Sequence, residues 1–161
     1  MKLVHKAVAA VVRGDGAGAE LLVFRHPLAG VQLPKGTVEP GETPAEGVLR
    51  ELEEESGLRL EVQPHPIGEW RRVLDGTFGE RATGGVHLWH LFALDAPEGL
   101  PEGWTHDASG SPEEDGLRFE FHWLAIDAGL LDKLHPVFGA TATLLLGHFA
   151  GATGTSRDLQ D

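Results

Sequence analysis

The chain has 161 residues, no cysteine, and a formal net charge of −12 from 25 acidic and 13 basic residues. This length favours a single domain, and the absence of thiols excludes disulfides, thiolate metal sites and a cysteine nucleophile. The acidic charge disfavours a protein that coats nucleic acid or an anionic membrane. We expect one cytoplasmic domain over residues 1–150, followed by a disordered tail over 151–161.

The N-terminal part predicts a hairpin-like pair of strands. Apolar residues at 7–12 and 21–24 flank the glycine-rich turn GDGAG. The first apolar run is too short for the core of a signal peptide, and no stretch is long enough to span a bilayer. Leu33 and Pro34 should end a short extended segment, after which Lys35 leads into a glycine-rich loop.

A helix is predicted between Thr43 and Gly57. Thr43 suits the N-cap, Pro44 suits the first helical position, and Glu46 completes a capping box. Gly57 is a suitable C-terminal stop. At about 100° per residue, one face of this helix is apolar and should dock on a core. The apolar positions are Ala45, Val48, Leu49 and Leu52.

A second face of the same helix carries three carboxylates. Glu51, Glu54 and Glu55 are spaced i, i+3 and i+4, which brings them close enough that ionising all three would raise at least one pKa. A divalent cation removes that repulsion, and Mg²⁺ prefers oxygen ligands such as these. The alternative is an ordinary solvated acidic face.

Two neighbouring residues favour the metal interpretation. Arg50 lies between Glu46 and Glu54 at i−4 and i+4, so its guanidinium could hold one carboxylate in a fixed rotamer. Gly47 costs about 1 kcal/mol relative to alanine inside a helix, yet it lies one turn before Glu51, where a missing side chain leaves room for metal and phosphate. The alternative for Gly47 is a tolerated first-turn glycine.

The segment from 36 to 58 matches the whole Nudix box, G-x5-E-x7-R-E-U-x-E-E-x-G-U with U aliphatic, so the chain resembles the Nudix hydrolases. Nine fixed positions agree over 23 residues: Gly36, Glu42, Arg50, Glu51, Leu52, Glu54, Glu55, Gly57 and Leu58. The resemblance implies an α/β/α sandwich with a mixed sheet. It also implies a site for Mg²⁺, with Mn²⁺ as the alternative ion, held by Glu51, Glu54 and Glu55. The implied reaction is hydrolysis of a nucleoside diphosphate linked to another group X.

Downstream of the box, alternating and apolar runs predict four strands, at 58–62, 67–74, 85–94 and 118–126. A polar turn is expected over 75–85, and the Pro-, Gly- and acid-rich segment 95–116 predicts a long functional loop. A short helix should follow at 125–134. A last helix should run from 136 to 149, with a buried stripe of Val137, Ala140, Leu144 and Leu145.

Candidate substrate contacts lie outside the helix. Trp70, Arg71 and Arg72 share one predicted strand, while Trp89 lies between His87 and His90 on another. Aromatic and cationic groups together could stack a base and hold a phosphate. The alternative is that the tryptophans are core residues and the arginines are solvated.

Lys35 is a further candidate for the substrate site, because it precedes Gly36 at the start of the box. The surrounding PKGxxEPGE is similar to that of Nudix members that cleave dinucleoside polyphosphates. The alternative is an ordinary exposed lysine.

An acid outside the box completes the implied catalytic set. Nudix enzymes often recruit one from the late part of the chain as a fourth ligand or general base, and Glu120 suits this role because it alternates away from Phe119 and Phe121. Glu113 and Glu114 are rivals. The catalytic set implied by the resemblance is then Glu54, Arg50 and Glu120.

The leading interpretation is an enzyme acting on a small nucleotide-type substrate, either a dinucleoside polyphosphate or a nucleoside triphosphate. A capped RNA end is the one nucleic acid that remains a candidate, and no membrane partner is expected. The alternatives are a Nudix-like module that senses a nucleotide without cleaving it and a purely structural acidic domain. The complete box disfavours the sensor, because binding without catalysis does not require three metal carboxylates.

Overall fold

The computed structural model describes residues 2–78 and 84–158, with side chains as far as Phe149. Within these residues eight strands form one sheet: β1 Leu3–Arg13, β2 Glu20–His26, β3 Gly30–Gln32, β4 Lys35–Thr37, β5 His65–Val73, β6 Val86–Asp95, β7 Trp104–Asp107 and β8 Arg118–Ala125. The helices are α1 Pro44–Ser56, α2 Leu130–Lys133 and α3 Gly139–Asp158, with single 3₁₀ turns at Gly16–Gly18 and Pro136–Phe138.

The sheet is mixed, and its order is β5-β6-β1-β2-β8-β7. β1 pairs parallel with β6 and antiparallel with β2 and β4, while β3 pairs with β2. α1 packs on one face of the sheet, and α2 and α3 pack on the other. The α/β/α sandwich expected from the sequence is therefore confirmed.

Helix α1 begins and ends as predicted. Thr43 Oγ1 accepts from the Glu46 backbone N–H at 3.1 Å, and Glu46 Oε1 accepts from the Thr43 N–H at 2.9 Å. Gly57 adopts a left-handed conformation with φ 79°, and its N–H donates to the Glu53 carbonyl at 2.8 Å. The apolar stripe, including fully buried Val48 and Leu52, packs into the core on this side.

The opposite face of the sheet is covered by the C-terminal segment. Phe138, Ala142 and Leu145 are fully buried there, whereas Ala140, which we expected in the stripe, is only half-buried. α3 extends to Asp158, beyond residue 150 where we expected the domain to end. Residues 159–161 lie outside the described residues.

Two segments differ from expectation. Residues 58–62 form no strand, because their alternating side chains reach the α1-side core while the backbone finds no neighbouring strand to pair with. The predicted loop 95–116 contains β7, which pairs with β8 at the edge of the sheet. The predicted turn between β5 and β6 includes residues 79–83, which lie outside the described residues.

Candidate functional site

The box begins on a strand, where a loop was expected. In β4, Gly36 pairs with Ala7 of β1, and its α-carbon lies against the side chain of Glu51. A Cβ placed on Gly36 would lie 1.9 Å from Glu51 Cδ, so any larger residue here would displace the Glu51 carboxylate from its present position. Glycine at this position therefore allows β4 and the carboxylate face of α1 to approach closely.

Glu55 is the most deeply buried acid of the box. It is 2% exposed, and its Oε1 accepts from the backbone N–H of Lys35 at 2.8 Å. Burial, followed by the nearby carboxylate of Glu114, raises the pKa of Glu55 well above its ordinary value. Burial likewise raises the pKa of Glu51, although Arg50 opposes that shift. A bound cation would relieve both penalties.

The end of the long loop closes over α1. The Ser109 N–H donates to the Glu54 carbonyl at 3.1 Å, and a Cβ on Gly110 would lie 2.2 Å from Glu54 Oε2. Glu114 follows in the same loop, where its carboxylate helps to raise the pKa of Glu55, and its Oε2 lies 3.9 Å from His26 Nε2. This loop therefore brings a fourth carboxylate to the box, and all-oxygen donors of this kind suit Mg²⁺ or Mn²⁺.

Arg50 occupies the space between the carboxylates. Its Nη1 lies 2.9 Å from Glu51 Oε1 and 3.2 Å from Glu54 Oε2. In the described part of the chain, no three acidic or imidazole side chains converge on a common point as preformed metal ligands. The guanidinium supplies the positive charge among these acids.

Glu42, and not Glu46, is the main partner of Arg50. Arg50 Nε and Nη2 donate to the two Glu42 oxygens at 2.8 and 3.0 Å, and this bidentate pair lowers the pKa of Glu42. Glu46 is used in the capping box instead. A Cβ on Gly47 would lie 2.9 Å from Glu42 Oε1, so this glycine makes room for Glu42 and not for metal and phosphate as we expected.

Arg50→Lys should lower kcat more than it raises KM. Lysine keeps the charge, but it loses the planar fork that holds Glu42 and Glu51 together, so the carboxylates lose their fixed positions. Steady-state kinetics with saturating Mg²⁺ measure both constants. A defect confined to KM would instead place Arg50 in the substrate site.

Cationic side chains gather on the other face of β4. Lys35 Nζ lies 5.6 Å from the ring centroid of Trp89, and Lys6 Nζ donates to Thr37 Oγ1 at 2.7 Å. Burial, followed by the charge on Lys35, lowers the pKa of Lys6 to about 8. We call Lys6, Lys35, Arg72 and His135 the cationic patch.

Arg72 and His135 extend the patch toward Phe78. The Arg72 guanidinium carbon lies 5.0 Å from the Phe78 ring centroid, and the His135 ring lies 6.0 Å from it. Burial, then Lys35 and Arg72, lower the pKa of His135. Our sequence analysis named Arg72 beside Trp70 and Arg71, but it missed Lys6 and His135 as site residues. Arg72 shares the face of Trp70, two residues before it, because side chains alternate along a strand.

Trp70 and Trp89 lie together, with ring centroids 4.7 Å apart. Trp89 is 2% exposed and packs edge-on against Phe138, and its Nε1 has no hydrogen-bond partner among the described residues. Trp70 is half-buried and donates from Nε1 to Thr141 Oγ1 at 3.2 Å. Arg71, predicted beside Trp70, is exposed on the opposite face because side chains alternate along β5.

The structure does not bring Glu120 to the box. Its side chain is 63% exposed and lies 3.8 Å from Arg25 on the neighbouring strand β2. Phe119 and Phe121 pack into the α1-side core, so Glu120 between them points to the other face. Glu113 is exposed and accepts from Ser111 Oγ at 2.8 Å, which leaves Glu114 as the late acid in contact with the box.

Comparison with solved structures agrees with this fold. A MutT protein from Methanosarcina mazei Go1 matches with a TM-score of 0.59 at 18% identity, covering 94% of this chain and 96% of that one. The Ap4A hydrolase of C. elegans, in a binary complex, matches with a TM-score of 0.58 at 19% identity, covering 94% of this chain and 98% of that one.

No helix among residues 2–78 and 84–158 is long and apolar enough to cross a membrane.

The NUDIX domain family model matches residues 3–141, and the chain belongs to this family. Among curated relatives, an RNA pyrophosphohydrolase of Francisella tularensis subsp. mediasiatica is 35% identical over 104 residues. That alignment covers 60% of this chain and 64% of the relative, so the chain spans less than two thirds of its length.

Proposed function

We propose that this protein is a Mg²⁺-dependent pyrophosphohydrolase that cleaves a nucleoside diphosphate linked to another group X in the cytoplasm. The observation that supports this most directly is the arrangement around β4. Carboxylates of α1 and the 108–117 loop lie on one side of the strand, and Lys6 and Lys35 lie on the other. Carboxylates hold the metal of a metal-bound diphosphate, and basic side chains contact its phosphates. Both kinds of group must therefore lie within reach of one phosphate chain.

In this proposal Glu51, Glu54 and Glu55 hold Mg²⁺ or, as the alternative, Mn²⁺. The ion supplies charge neutralisation of the diphosphate and a bound water of lowered pKa. Arg50 positions the carboxylates through Glu42 and Glu51. Lys35, with Lys6 beside it, contacts the phosphates and neutralises part of their negative charge. Half-buried Trp70 stays a candidate for stacking the base, whereas Arg71 and Glu120 lie away from this region.

Glu114 fits the role of the acid outside the box better than Glu120 does. Glu114→Gln should lower kcat by about 10²-fold, because it removes either a general base or a metal ligand next to Glu55. Glu120→Gln is the matched control, since its exposed side chain pairs only with Arg25 at 3.8 Å among the contacts described. Steady-state kinetics should show near-normal kcat for Glu120→Gln. The reverse order of effects would assign the role to Glu120.

The proposal that the substrate is a polyphosphate rests on the cationic patch. Lys6, Lys35 and Arg72, with His135 beside them, lie on one sheet face of a protein with net charge −12, and three basic side chains together indicate an anionic group larger than one phosphate. A dinucleoside polyphosphate and a nucleoside triphosphate both satisfy this requirement. The name of the curated relative, an RNA pyrophosphohydrolase, favours an RNA end as a third candidate.

Product analysis on a substrate panel tests the proposal. Nucleoside triphosphates, dinucleoside polyphosphates, sugar nucleotides and capped RNA are incubated with protein and Mg²⁺, with EDTA as control, and products are separated by ion-exchange chromatography. We expect Mg²⁺-dependent cleavage of a phosphoanhydride bond in at least one polyphosphate. Saturable nucleotide binding without product would instead favour a sensor, and neither binding nor product would favour a structural domain.

A further inference from the structure

A histidine pair lies on the α1-side face of the sheet, separate from the carboxylates of the box. His5 on β1 and His90 on β6 belong to neighbouring parallel strands, and their rings stack with centroids 5.2 Å apart. His5 Nδ1 lies 2.9 Å from His90 Nε2. On the far side of the second ring, Glu69 Oε2 lies 3.2 Å from His90 Nδ1. The three side chains therefore form a line from β5 to β1.

The carboxylate determines the tautomer of His90. Because Glu69 only accepts hydrogen bonds when ionised, His90 Nδ1 carries the proton and Nε2 carries a lone pair directed at His5. Burial is the largest cause that lowers the pKa of His90, which favours the neutral ring at pH 7. His5 Nδ1–H then donates to that lone pair, so two ring nitrogens of different strands are directed at each other across a hydrogen bond that a metal ion can replace.

We propose that His5 and His90 bind one divalent transition-metal ion, such as Ni²⁺ or Zn²⁺, with Glu69 as a positioning residue. A hydrogen-bonded carboxylate behind the ring is the usual support of a metal-binding histidine. For tetrahedral Zn²⁺, metal–nitrogen distances of about 2.0–2.1 Å place two ligands roughly 3.3 Å apart, so the observed 2.9 Å needs an opening of about 0.4 Å, which the exposed ring of His5 can provide. At the 90° ligand angle that Ni²⁺ prefers, similar distances place the two nitrogens roughly 2.9 Å apart.

Space for the remaining ligands exists beside the pair. His5 and His90 line a cavity of about 570 Å³ that also borders Leu3, Val38 and Pro44. Apart from Glu69 behind His90, no third acidic or imidazole side chain in the described part of the chain is placed to share the ion, so water would complete the coordination. The box offers only oxygen donors, which suit Mg²⁺, whereas imidazole suits Ni²⁺ and Zn²⁺. The histidine pair should therefore discriminate more strongly against Mg²⁺ than the box does.

Such an ion would crosslink two strands next to the box. The Val38 N–H, in the segment between β4 and α1, donates to the His5 carbonyl at 2.9 Å. A metal that bridges His5 of β1 and His90 of β6 binds only the folded protein, because the two strands are adjacent only there. Its binding should stabilise the folded state by mass action, independently of substrate turnover. Thermal stability gives a readout that does not depend on the proposed activity.

The experiment is isothermal titration calorimetry of untagged protein with Ni²⁺ in a large excess of Mg²⁺, which competes for the carboxylates of the box but not for imidazole. We expect one Ni²⁺ per chain and a rise in Tm on Ni²⁺ addition. His5→Gln and His90→Gln should each weaken binding by at least 10-fold and abolish the rise in Tm. Glu69→Gln should weaken it by about 10-fold, as the loss of a hydrogen bond behind a metal-binding histidine typically does.

His65→Gln is the matched control, because His65 is an exposed histidine on the same edge strand as Glu69. It should bind Ni²⁺ as the wild type does. Absence of Ni²⁺ binding in the wild type, full binding by His5→Gln, or an equal loss in His65→Gln would each overturn the proposal. His5 is exposed, so its substitution remains informative even if the His90 variant fails to fold.

Discussion

Glu54→Gln and Glu55→Gln are each expected to lower kcat by at least about 10²-fold while the fold stays intact. Glutamine keeps the volume of the side chain but removes the charge of a metal ligand. Glu55 also accepts from the backbone N–H of Lys35, and its amide replacement keeps an oxygen for that bond. Circular dichroism and single-substrate kinetics at saturating Mg²⁺ measure the two outcomes.

Glu53→Gln provides the control on the same helix. Glu53 lies next to Glu54 in sequence, but its side chain is exposed on the outer face of α1. Its substitution changes the net charge by the same amount and should leave turnover close to wild type. Near-normal activity in both Glu54→Gln and Glu55→Gln would refute the metal assignment.

Glu55→Gln should raise the stability of the metal-free protein, although it lowers the activity. The pKa of Glu55 is raised in the folded state, so ionising it opposes folding, and metal-free wild type should lose stability as the pH rises above the ordinary carboxyl range. The amide has no such penalty. In EDTA at neutral pH, the variant should melt at least about 2 °C higher than wild type, and Mg²⁺ should stabilise it less.

Trp89→Ala is expected to destabilise the protein by about 3 to 5 kcal/mol. Trp89 is 2% exposed and is enclosed by Trp70 and Phe138, so its removal leaves a cavity that the sheet cannot close. For a chain of this size the loss corresponds to a fall in Tm of roughly 6 to 20 °C. Thermal unfolding measures it, and an unchanged Tm would show that Trp89 is not a core residue.

Trp70→Ala separates a core role from a substrate contact. Trp70 is half-buried beside the cationic patch, so a stacking role predicts a KM raised by roughly 10-fold, for a loss of about 1 to 3 kcal/mol. Trp123→Ala is the control, since Trp123 is also half-buried but packs under Arg13, with 4.2 Å between the guanidinium carbon and the ring centroid. Equal KM values in the two variants would exclude stacking by Trp70.

The features read correctly from the sequence are those that depend on neighbours along the chain. The capping box of Thr43 and Glu46, the stop at Gly57 and the carboxylate face of α1 follow from helix periodicity, and the structure reproduces their local geometry. The family and the α/β/α arrangement are likewise confirmed. The roles of the individual site residues stay predictions.

The errors arose where strand pairing decides the outcome. The alternation at 58–62 describes which side chains face the core, yet a strand also needs a partner backbone, and none is present beside this segment in the described structure. Arg71 and Arg72 were both grouped with Trp70, whereas the pleat of β5 places Arg72 on the face of Trp70 and Arg71 on the opposite face.

By itself, the sequence determined the box, its helix and the chemistry of its carboxylates, because these depend on spacings of three to five residues along one helix. Tertiary structure alone decided which distant groups meet that helix. Glu114 reaches Glu55 because its loop folds back over α1, and Arg50 holds Glu42 because Gly47 has no side chain. Lys6 and Lys35 share one face because β1 and β4 pair in a particular register, and register depends on contacts across the whole sheet.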